Sequence, residues 1–185
     1  MEQEGLSINK MRNKWVKTGI PFIVLKFALS REGFIAGNVN RQIWLSGWLS
    51  KRITHQWRNS IDAILIGSKT LQIDNPSLTA RFGYTSNPVI VIISPTTLIN
   101  WAYKIFESGT RIFIFSNYQP KVNYPSLFYF DTSGIKSLLP YVLKVLGQHQ
   151  ITSLIVEGGA HVLKSFIEEG FYDEIRVFRS PLGIS

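Results

Sequence analysis

The chain has no cysteine among its 185 residues. This absence excludes disulfide bonds, cysteine-ligated zinc sites and thiol nucleophiles, and it fits a reducing compartment. Long apolar runs are also absent, because the longest, such as 89–93 and 151–156, are far shorter than the roughly 20 residues that span a bilayer. Residues 1–15 contain acidic side chains and lack the apolar segment of a signal peptide. We therefore expect a cytoplasmic protein without a membrane partner.

Charged residues are few, at 17% against 45% hydrophobic residues, which is typical of one globular domain of this length. The net charge is +8, but the basic residues are scattered, and their densest cluster is the short segment 9–17. Nucleic-acid-binding proteins concentrate lysine and arginine on one face. We therefore expect no nucleic-acid partner, and a basic site for a phosphorylated small molecule explains the sign of the charge equally well.

The common catalytic and nucleotide-binding motifs are missing as well. The sequence has neither a P-loop nor a G-x-G-x-x-G motif. The three histidines, His55, His149 and His161, lack metal-ligand spacing, so we expect no metal site. Ser46 lies outside the strand-turn-helix context of a nucleophilic serine. These absences argue against an NTPase, a metalloenzyme and a serine hydrolase.

The sequence does contain an alternation of strand-like and helix-like segments. Apolar, β-branched runs predict strands at 22–29, 61–66, 88–93, 111–115, 127–130, 153–156 and 174–178. Helices are predicted at 48–59, 68–75, 135–146 and after Gly159, and the polar residues 1–18 resemble a helical appendage. This order is typical of the α/β class, with a mostly parallel central sheet and helices on both faces. On the helix at 48–59 we expect Trp48 to face inward and Arg58 outward.

Ligands of such sheets bind at the carboxyl ends of the strands. This rule selects 28–33, 67–74, Ser94 and 157–160. Gly158 and Gly159 stand at a strand-to-helix turn, where a backbone can approach an anion, although a simple tight turn explains them equally well. Glu157 would repel the same anion. Either it is a surface feature of the turn, or it faces a different ligand.

Other polar residues at this edge also have ordinary structural explanations. Segment 67–81 concentrates hydroxyl, carboxyl and amide groups directly after a strand, yet residues 74–76 are by themselves a favourable turn. Arg58 fits an exposed cation, and Trp44 fits a core residue. Their shared position at the predicted carboxyl edge is what favours a site for a phosphate-bearing ligand.

Four segments taken together resemble one known family. They are LKFALSREGFIAG, WLSG, QWRNSIDAILIGSKTLQIDNPSLTAR and SLIVEGGAHVLKSF. In order and spacing they resemble the reductase domain of the bacterial riboflavin-biosynthesis deaminase-reductases, from about Pro21 to the last residue. The resemblance implies a dihydrofolate-reductase-like fold, a homodimer, and NADPH as the hydride donor. It also implies that the ribosyl group of 5-amino-6-(5-phosphoribosylamino)uracil is reduced to the ribityl form.

The resemblance also implies which residues contact each ligand. The cofactor contacts correspond to Ala28, Trp44, Thr70, Asp74, Ser94, Gly158, Gly159 and Ala160. The substrate contacts correspond to Gln42, Arg58, Leu78, Arg81 and Glu157. The resemblance also implies that Lys26 points toward the same cleft, and we expect Lys26 and Glu157 to act in catalysis, with either Lys26 or an ordered water molecule as the proton donor. The arginines suit a terminal phosphate because a guanidinium pairs bidentately with its oxygens.

The chain departs from the family pattern in two places. Where the family has S-x-D-G, this chain has Ser30-Arg31-Glu32-Gly33, so the acid is one methylene longer. The family's zinc deaminase domain needs cysteine ligands, which are absent. We therefore expect a linker-like segment at 1–18 and a reductase domain at 19–185, with the deaminase in the full-length protein or on a separate chain. The family continues beyond the Pro-Leu-Gly at 181–183, so we also expect a final strand to be missing.

Two alternatives stay open. A dihydrofolate or pterin-type reductase of the same fold would need an acid on the first helix, facing the pteridine, and residues 48–59 contain none. A non-catalytic nucleotide-binding domain is also compatible with the sequence. The intact set of Thr70, Asp74, Arg81 and Glu157 argues against this second alternative.

Overall fold

The computed structural model describes residues 2–33, 47–84, 86–96, 98–119, 121 and 124–180. Gln42, Trp44 and the Pro-Leu-Gly at 181–183 lie outside the described residues. The strands are β1 (Phe22–Leu29), β2 (Ala63–Gly67), β3 (Val89–Ser94), β4 (Ile112–Ser116), β5 (Leu127–Asp131), β6 (Ser153–Val156) and β7 (Glu174–Arg179). The helices are α1 (Glu2–Thr18), α2 (Trp48–Asn59), α3 (Ser68–Asp74), α4 (Leu138–Gln148) and α5 (Ala160–Glu168), with a 3₁₀ helix at Lys104–Glu107.

The strands form one sheet in the order β5-β4-β3-β2-β6-β1-β7, and its neighbouring strands pair in parallel. The central strands β2, β3, β4 and β6 are buried along their whole length, as expected for a parallel sheet that is covered on both faces. Leu143 of α4 and Phe166 of α5 pack on one face. Trp57 of α2, Leu71 of α3 and Ile105 of the 3₁₀ helix pack on the other. The predicted α/β class with helices on both faces is confirmed.

The helix α4 begins later than its hydrophobic pattern predicts. The periodicity starts at Ile135, whereas the helix starts at Leu138. Pro140 is then the third residue of the helix. Backbone N–H groups of the first turn have no intrahelical partner, so a proline at this position removes no hydrogen bond. The later start therefore explains how the helix accommodates its proline.

Two orientations predicted for α2 are wrong. Trp48, expected to face inward, is the first residue of the helix and is 64% exposed, with the guanidinium of Arg52 5.7 Å from its ring. Arg58, expected to face solvent, has a side chain that is only 14% exposed. The guanidinium of Arg58 points inward because it forms an ion pair with the buried carboxylate of Glu157.

The N-terminal helix α1 packs against the end of α4. Trp15 Nε1 donates a hydrogen bond to the carbonyl of Gly147 at 3.0 Å, and Lys14 forms an ion pair with Asp173. A Cβ atom at position 147 would lie 1.8 Å from the carbonyl oxygen of Gly19, so this close approach requires glycine. The division of the chain at residue 18 stays a prediction. None of the described helices is long and apolar enough to cross a membrane.

Candidate active site

The parallel topology places the carboxyl end of β6 between β1 and β2, both of which continue beyond it. Leu25 of β1 and Leu65 of β2 both pair with Val156, the last residue of β6. The backbone N–H of Glu157 then donates to the carbonyl of Leu65 at 3.1 Å, which continues the ladder by one residue. Lys26 follows Leu25 on β1. Glu157 and Lys26 are therefore fixed on neighbouring strands at the edge where ligands of such sheets bind.

Glu157 is the centre of a buried group of charges, the Glu157 cluster, which consists of Lys26, Arg58 and Glu157. Arg58 donates from Nε to Oε1 at 3.1 Å and from Nη2 to Oε2 at 2.8 Å, which is a bidentate pair. Lys26 Nζ lies 3.9 Å from Oε2. The three side chains are 5% (Glu157), 14% (Arg58) and 17% (Lys26) exposed. Two cations and one anion leave the cluster with one excess positive charge.

The cations keep Glu157 ionised. Burial raises the pKa of the Glu157 carboxyl, but the charges of Arg58 and Lys26 and the hydrogen bonds from Arg58 outweigh burial and lower it to about 2. Burial lowers the pKa of Arg58, and pairing with Glu157 more than offsets this, so its pKa lies above the ordinary value. Across the neutral range the cluster therefore holds a carboxylate and a guanidinium. Glu157 can accept hydrogen bonds but cannot donate one.

Arg58 uses most of its donors within the protein. Besides the two bonds to Glu157, Nη1 donates to the carbonyl of Thr79 at 3.4 Å. The guanidinium thus joins α2 to the end of β6 and to the segment that follows α3. The phosphate contact expected for Arg58 stays a prediction, and in this structure the arginine holds Glu157 in place.

The segment from residue 75 to residue 84, called the 75–84 loop below, carries the other predicted substrate contacts. Leu78 is buried, whereas Arg81 is exposed and donates to the hydroxyl of Ser77. Four described residues other than glycine have a positive φ, and three of them lie in this loop: Asn75 at 39°, Leu78 at 52° and Phe82 at 62°. Positive φ is costly for such side chains and recurs at functional sites.

The glycine turn before α5 packs directly against the end of β2 and the first turn of α3. A Cβ atom on Gly158 would lie 2.9 Å from Ile66 Cγ2, and one on Gly159 would lie 3.0 Å from Thr70 Oγ1. Gly159 also has a φ of 77°. Side chains at these positions would force the two turns apart. The first backbone N–H groups of α5, from Ala160 onward, follow this turn, and their contact with the phosphate of a dinucleotide stays a prediction.

The other described residues of the predicted cofactor set lie near the ends of strands or of α3. Asp74 ends α3, and burial raises the pKa of its carboxyl. Ser94 is the buried last residue of β3, and Ala28 lies near the end of β1. Thr70 contacts the glycine turn, as described above. The structure therefore places Ala28, Ser94, Thr70 and the glycine turn at the carboxyl edge, with Asp74 at the other end of α3, while Trp44 and the substrate residue Gln42 lie outside the described residues.

An aromatic wall beside Lys26 was missed from the sequence. Trp57 and Phe178 stack with ring centroids 5.3 Å apart, and Lys26 Nζ lies 5.8 Å from the centre of the Phe178 ring. Arg176 covers Trp57 at 4.7 Å. The contact depends on the register that sets Ala28 opposite Phe178, and no local pattern could reveal it. The wall is positioned to hold Lys26 between an aromatic face and Glu157.

His55 lies near the Glu157 cluster, and the sequence predicted no role for it. It lies one turn before Arg58 on α2, and its ring meets Phe82 edge-on with centroids 5.0 Å apart. The spacing of three residues between His55 and Arg58 places both on one helix face, and this was the available sequence signal. Within the described parts of the chain, no group of three potential ligands is arranged to hold a metal ion.

Comparisons with known proteins identify the family of the chain. Residues 21–184 match the model of the RibD C-terminal domain family. The riboflavin biosynthesis protein RibD of Bacillus amyloliquefaciens is 31% identical over an alignment that covers 98% of this chain and 51% of that protein. The chain thus spans about half the length of this curated relative.

Two solved structures are similar to the chain. One is a diaminohydroxyphosphoribosylaminopyrimidine deaminase/5-amino-6-(5-phosphoribosylamino)uracil reductase from Thermotoga maritima, with a TM-score of 0.81 and 28% identity over 93% of this chain and 48% of that one. The other is Acinetobacter baumannii RibD, with a TM-score of 0.86 and 24% identity over 97% of this chain and 51% of that one, a likeness that shows the fold alone. The chain therefore belongs to the RibD C-terminal domain family and has the dihydrofolate-reductase-like fold of these reductases.

Proposed function

We propose that the chain uses NADPH to reduce the ribosyl group of 5-amino-6-(5-phosphoribosylamino)uracil to the ribityl form in riboflavin biosynthesis. Family membership supports a reductase with a nicotinamide cofactor. The similar Thermotoga maritima protein is a reductase of this aminouracil, which supports the choice of substrate.

The Glu157 cluster is the observation that carries the proposal. It joins an ionised carboxylate, an amine and a guanidinium at the carboxyl end of β6, with the amine supplied by the adjacent strand β1, directly beside the glycine turn. The glycines and the start of α5 face the dinucleotide, whereas Glu157 faces the sugar or uracil of the second ligand. The carboxylate then stands between two ligands that must meet at one carbon, and this division accounts for an acid next to an anion-binding turn.

The cofactor, when bound, supplies the hydride, so no side-chain nucleophile is required. The protein must position the sugar C1′ and deliver a proton to the heteroatom bonded to that carbon. Lys26 Nζ is the proton donor, since it is the one acid of the cluster that is not engaged in a bidentate pair. The Glu157 oxygens keep lone pairs free, and these accept hydrogen bonds from sugar hydroxyls or uracil N–H groups.

The whole protein is proposed to be a cytoplasmic homodimer. Relatives about twice as long as this chain support a second domain, which we propose to be the zinc deaminase, either on the same polypeptide or on a separate chain.

The direct test is oxidation of NADPH at 340 nm by the purified chain. Turnover is expected with the phosphoribosylaminouracil and not with dihydrofolate, and NADPH is expected to be preferred over NADH. Turnover with dihydrofolate alone would support the pterin-type reductase. Cofactor binding without turnover of either substrate between about pH 6 and 9 would support a non-catalytic nucleotide-binding domain.

A further inference from the structure

We propose that His55 is a proton-linked recognition residue for the phosphate of the substrate, which its imidazole binds together with Arg81. The inference takes the phosphorylated ligand from the proposed function. It adds a residue for which neither the family resemblance nor the charge pattern provides a role, and it couples binding of the phosphate to uptake of one proton.

The first observation is an unpaired atom. Among the described residues, His55 Nδ1 is the one buried side-chain nitrogen or oxygen atom without a hydrogen-bond partner. Buried polar atoms are normally paired, and an exception at a candidate site calls for a ligand, an ion or a water molecule as the partner. The atom lies beside the segment that carries Arg81, because the His55 ring touches Phe82.

The second observation is the charge around the imidazole. The groups that act on it are Arg58 on its own helix, Arg81 and the Thr79 backbone in the 75–84 loop, and Glu157 at the end of β6. Burial, and then the charges of Arg58 and Arg81, lower the pKa of His55, while the Thr79 backbone and Glu157 raise it. Glu157 is committed to Arg58 through both oxygens. Among the charged groups that act on the imidazole, Arg81 is therefore the cation that no carboxylate compensates.

A phosphate dianion fits this environment better than a neutral base does. It would offset the charge of Arg81, which is exposed and bonded only to the Ser77 hydroxyl among the contacts of the described residues. Phosphate oxygens accept hydrogen bonds, so an imidazole nitrogen can join them only as N–H. The Thr79 backbone favours the protonated ring, and because Nδ1 has no partner we assign the proton of the neutral ring to the other nitrogen, Nε2, facing that backbone, which leaves Nδ1 without a proton. A bound phosphate therefore requires the ring to take up a proton at Nδ1.

The 75–84 loop allows a ligand to reach the ring. Phe82, which packs against His55, is 51% exposed and has a φ of 62°. Little apolar contact is lost when a half-exposed side chain moves, and the unfavourable backbone angle is relieved. The loop that carries Arg81 can thus adjust around a phosphate while the Glu157 cluster stays in place.

Histidine NMR on the intact chain tests the proposal directly. The chain has three histidines, so the Hε1–Cε1 signals form a simple spectrum, and the signal that disappears in His55→Gln is that of His55. In a pH titration, we expect the midpoint of the His55 signal to lie below pH 6.5 in the free protein. With saturating ribose 5-phosphate, we expect this midpoint to rise by about one pH unit or more. Ribose without phosphate should leave it unchanged. Ribose 5-phosphate that binds without moving this midpoint, or that fails to bind by calorimetry, would overturn the proposal.

A matched pair of variants separates the two ring nitrogens. His55→Gln places an amide near the second nitrogen and keeps the contact with Thr79, whereas His55→Asn places an amide N–H near Nδ1. By calorimetry at pH 6.5 in two buffers of different ionisation enthalpy, we expect His55→Gln to bind ribose 5-phosphate roughly tenfold more weakly and to take up fewer protons than the wild type. His55→Asn should keep most of the affinity without that uptake. Equal affinity and equal proton uptake in the wild type and His55→Gln would contradict the proposal.

These measurements use neither NADPH nor the aminouracil. If ribose 5-phosphate binds with proton uptake but NADPH is not oxidised, the reductase proposal fails and the role of His55 stands. If NADPH is oxidised with the aminouracil while ribose 5-phosphate does not shift the His55 signal, the proposed role of His55 fails and the reductase proposal stands.

Discussion

The strand β6 has a carboxylate near each of its ends, and the two are satisfied in different ways. At the amino end, Asp62 Oδ2 accepts hydrogen bonds from the backbone and hydroxyl of Thr152, at 2.7 Å and 2.6 Å, and from the backbone of Ser153 at 3.0 Å. At the carboxyl end, Glu157 is 5% exposed and is bound by two cations, Arg58 and Lys26. The exposed Asp62 needs only neutral donors from the adjacent strand.

The difference separates a structural carboxylate from one retained for binding. Hydrogen bonds from neutral groups fasten the start of β6 to the start of β2 at little desolvation cost. Burying Glu157 requires two cations, Arg58 from α2 and Lys26 from β1. Buried groups of paired charges are often no more stabilising than apolar side chains of similar volume. A buried charge cluster that the stability of the fold does not require is expected at a functional site. We therefore expect the charge of Glu157 to bind a ligand.

The largest effect is expected from Arg58→Leu. Removing the guanidinium leaves the buried carboxylate with Lys26 alone, so the free energy of unfolding at pH 7 should fall by about 3–5 kcal/mol in urea titrations. The double variant Arg58→Leu/Glu157→Leu should recover most of this loss while staying inactive. If the double variant were as unstable as the single one, the cluster would be needed for the fold itself.

Acid should remove the stabilisation that Glu157 provides. Its pKa is lowered from 4.5 to about 2 in the folded protein, which corresponds to about 3 kcal/mol. Because the folded value is the lower one, this stability is fully present above pH 4.5 and is lost as the pH falls from 4.5 toward 2. Urea unfolding of the wild type and Glu157→Gln should give a difference that shrinks over this window. If the difference in the free energy of unfolding between the wild type and Glu157→Gln did not change with pH, the lowered pKa of Glu157 would be contradicted.

Substitution of Glu157 by Gln should affect the substrate more than the cofactor. We expect kcat/KM for the aminouracil to fall roughly 100-fold, with the Kd for NADPH within about twofold of the wild type, because the glycine turn is unchanged. Gly159→Ala is the matched variant for the cofactor side, because its Cβ atom would lie 3.0 Å from Thr70 Oγ1 and would disturb the glycine turn. It should weaken NADPH binding first. A Glu157→Gln variant that mainly loses NADPH affinity would refute the division of the turn between two ligands.

The smallest effect is expected from Asp62→Asn. The amide oxygen can still accept hydrogen bonds from Thr152 and Ser153, so the free energy of unfolding should fall by only about 1 kcal/mol. Activity should stay at the wild-type level, measured under the same assay as Glu157→Gln. A loss of activity comparable to that of Glu157→Gln would remove the distinction between the two carboxylates.

Much of the fold could be predicted because its causes are local. β1 and β6 are mostly apolar, and their observed bounds, Phe22–Leu29 and Ser153–Val156, match the predicted ones. The start of α4 was misplaced because periodicity alone cannot show where a helix containing Pro140 begins. The exposed Trp48 was misread for a similar reason, since the burial of a first-turn residue depends on what lies beside it.

The candidate site was predictable in part. The rule for strand ends, together with the family resemblance, selected Lys26 and Glu157, and the structure brings these two side chains together. The same reasoning assigned Arg58 to a phosphate, whereas the structure pairs it with Glu157. The aromatic wall of Trp57 and Phe178 could not be predicted, because the two residues are distant in sequence and meet only through the pairing of β7 with β1.

The sequence alone determined the succession of strands and helices and the glycine turn, because hydrophobic period and backbone freedom act over a few residues. Tertiary structure alone decided which charges meet. Arg58 and Glu157 are 99 residues apart, and they pair because β6 lies between β2 and β1 in the sheet. Tertiary structure also decided that His55 Nδ1 is buried without a hydrogen-bond partner and that Arg81 acts on the ring. Burial and electrostatic coupling depend on all the groups around an atom, so a local sequence pattern cannot predict them.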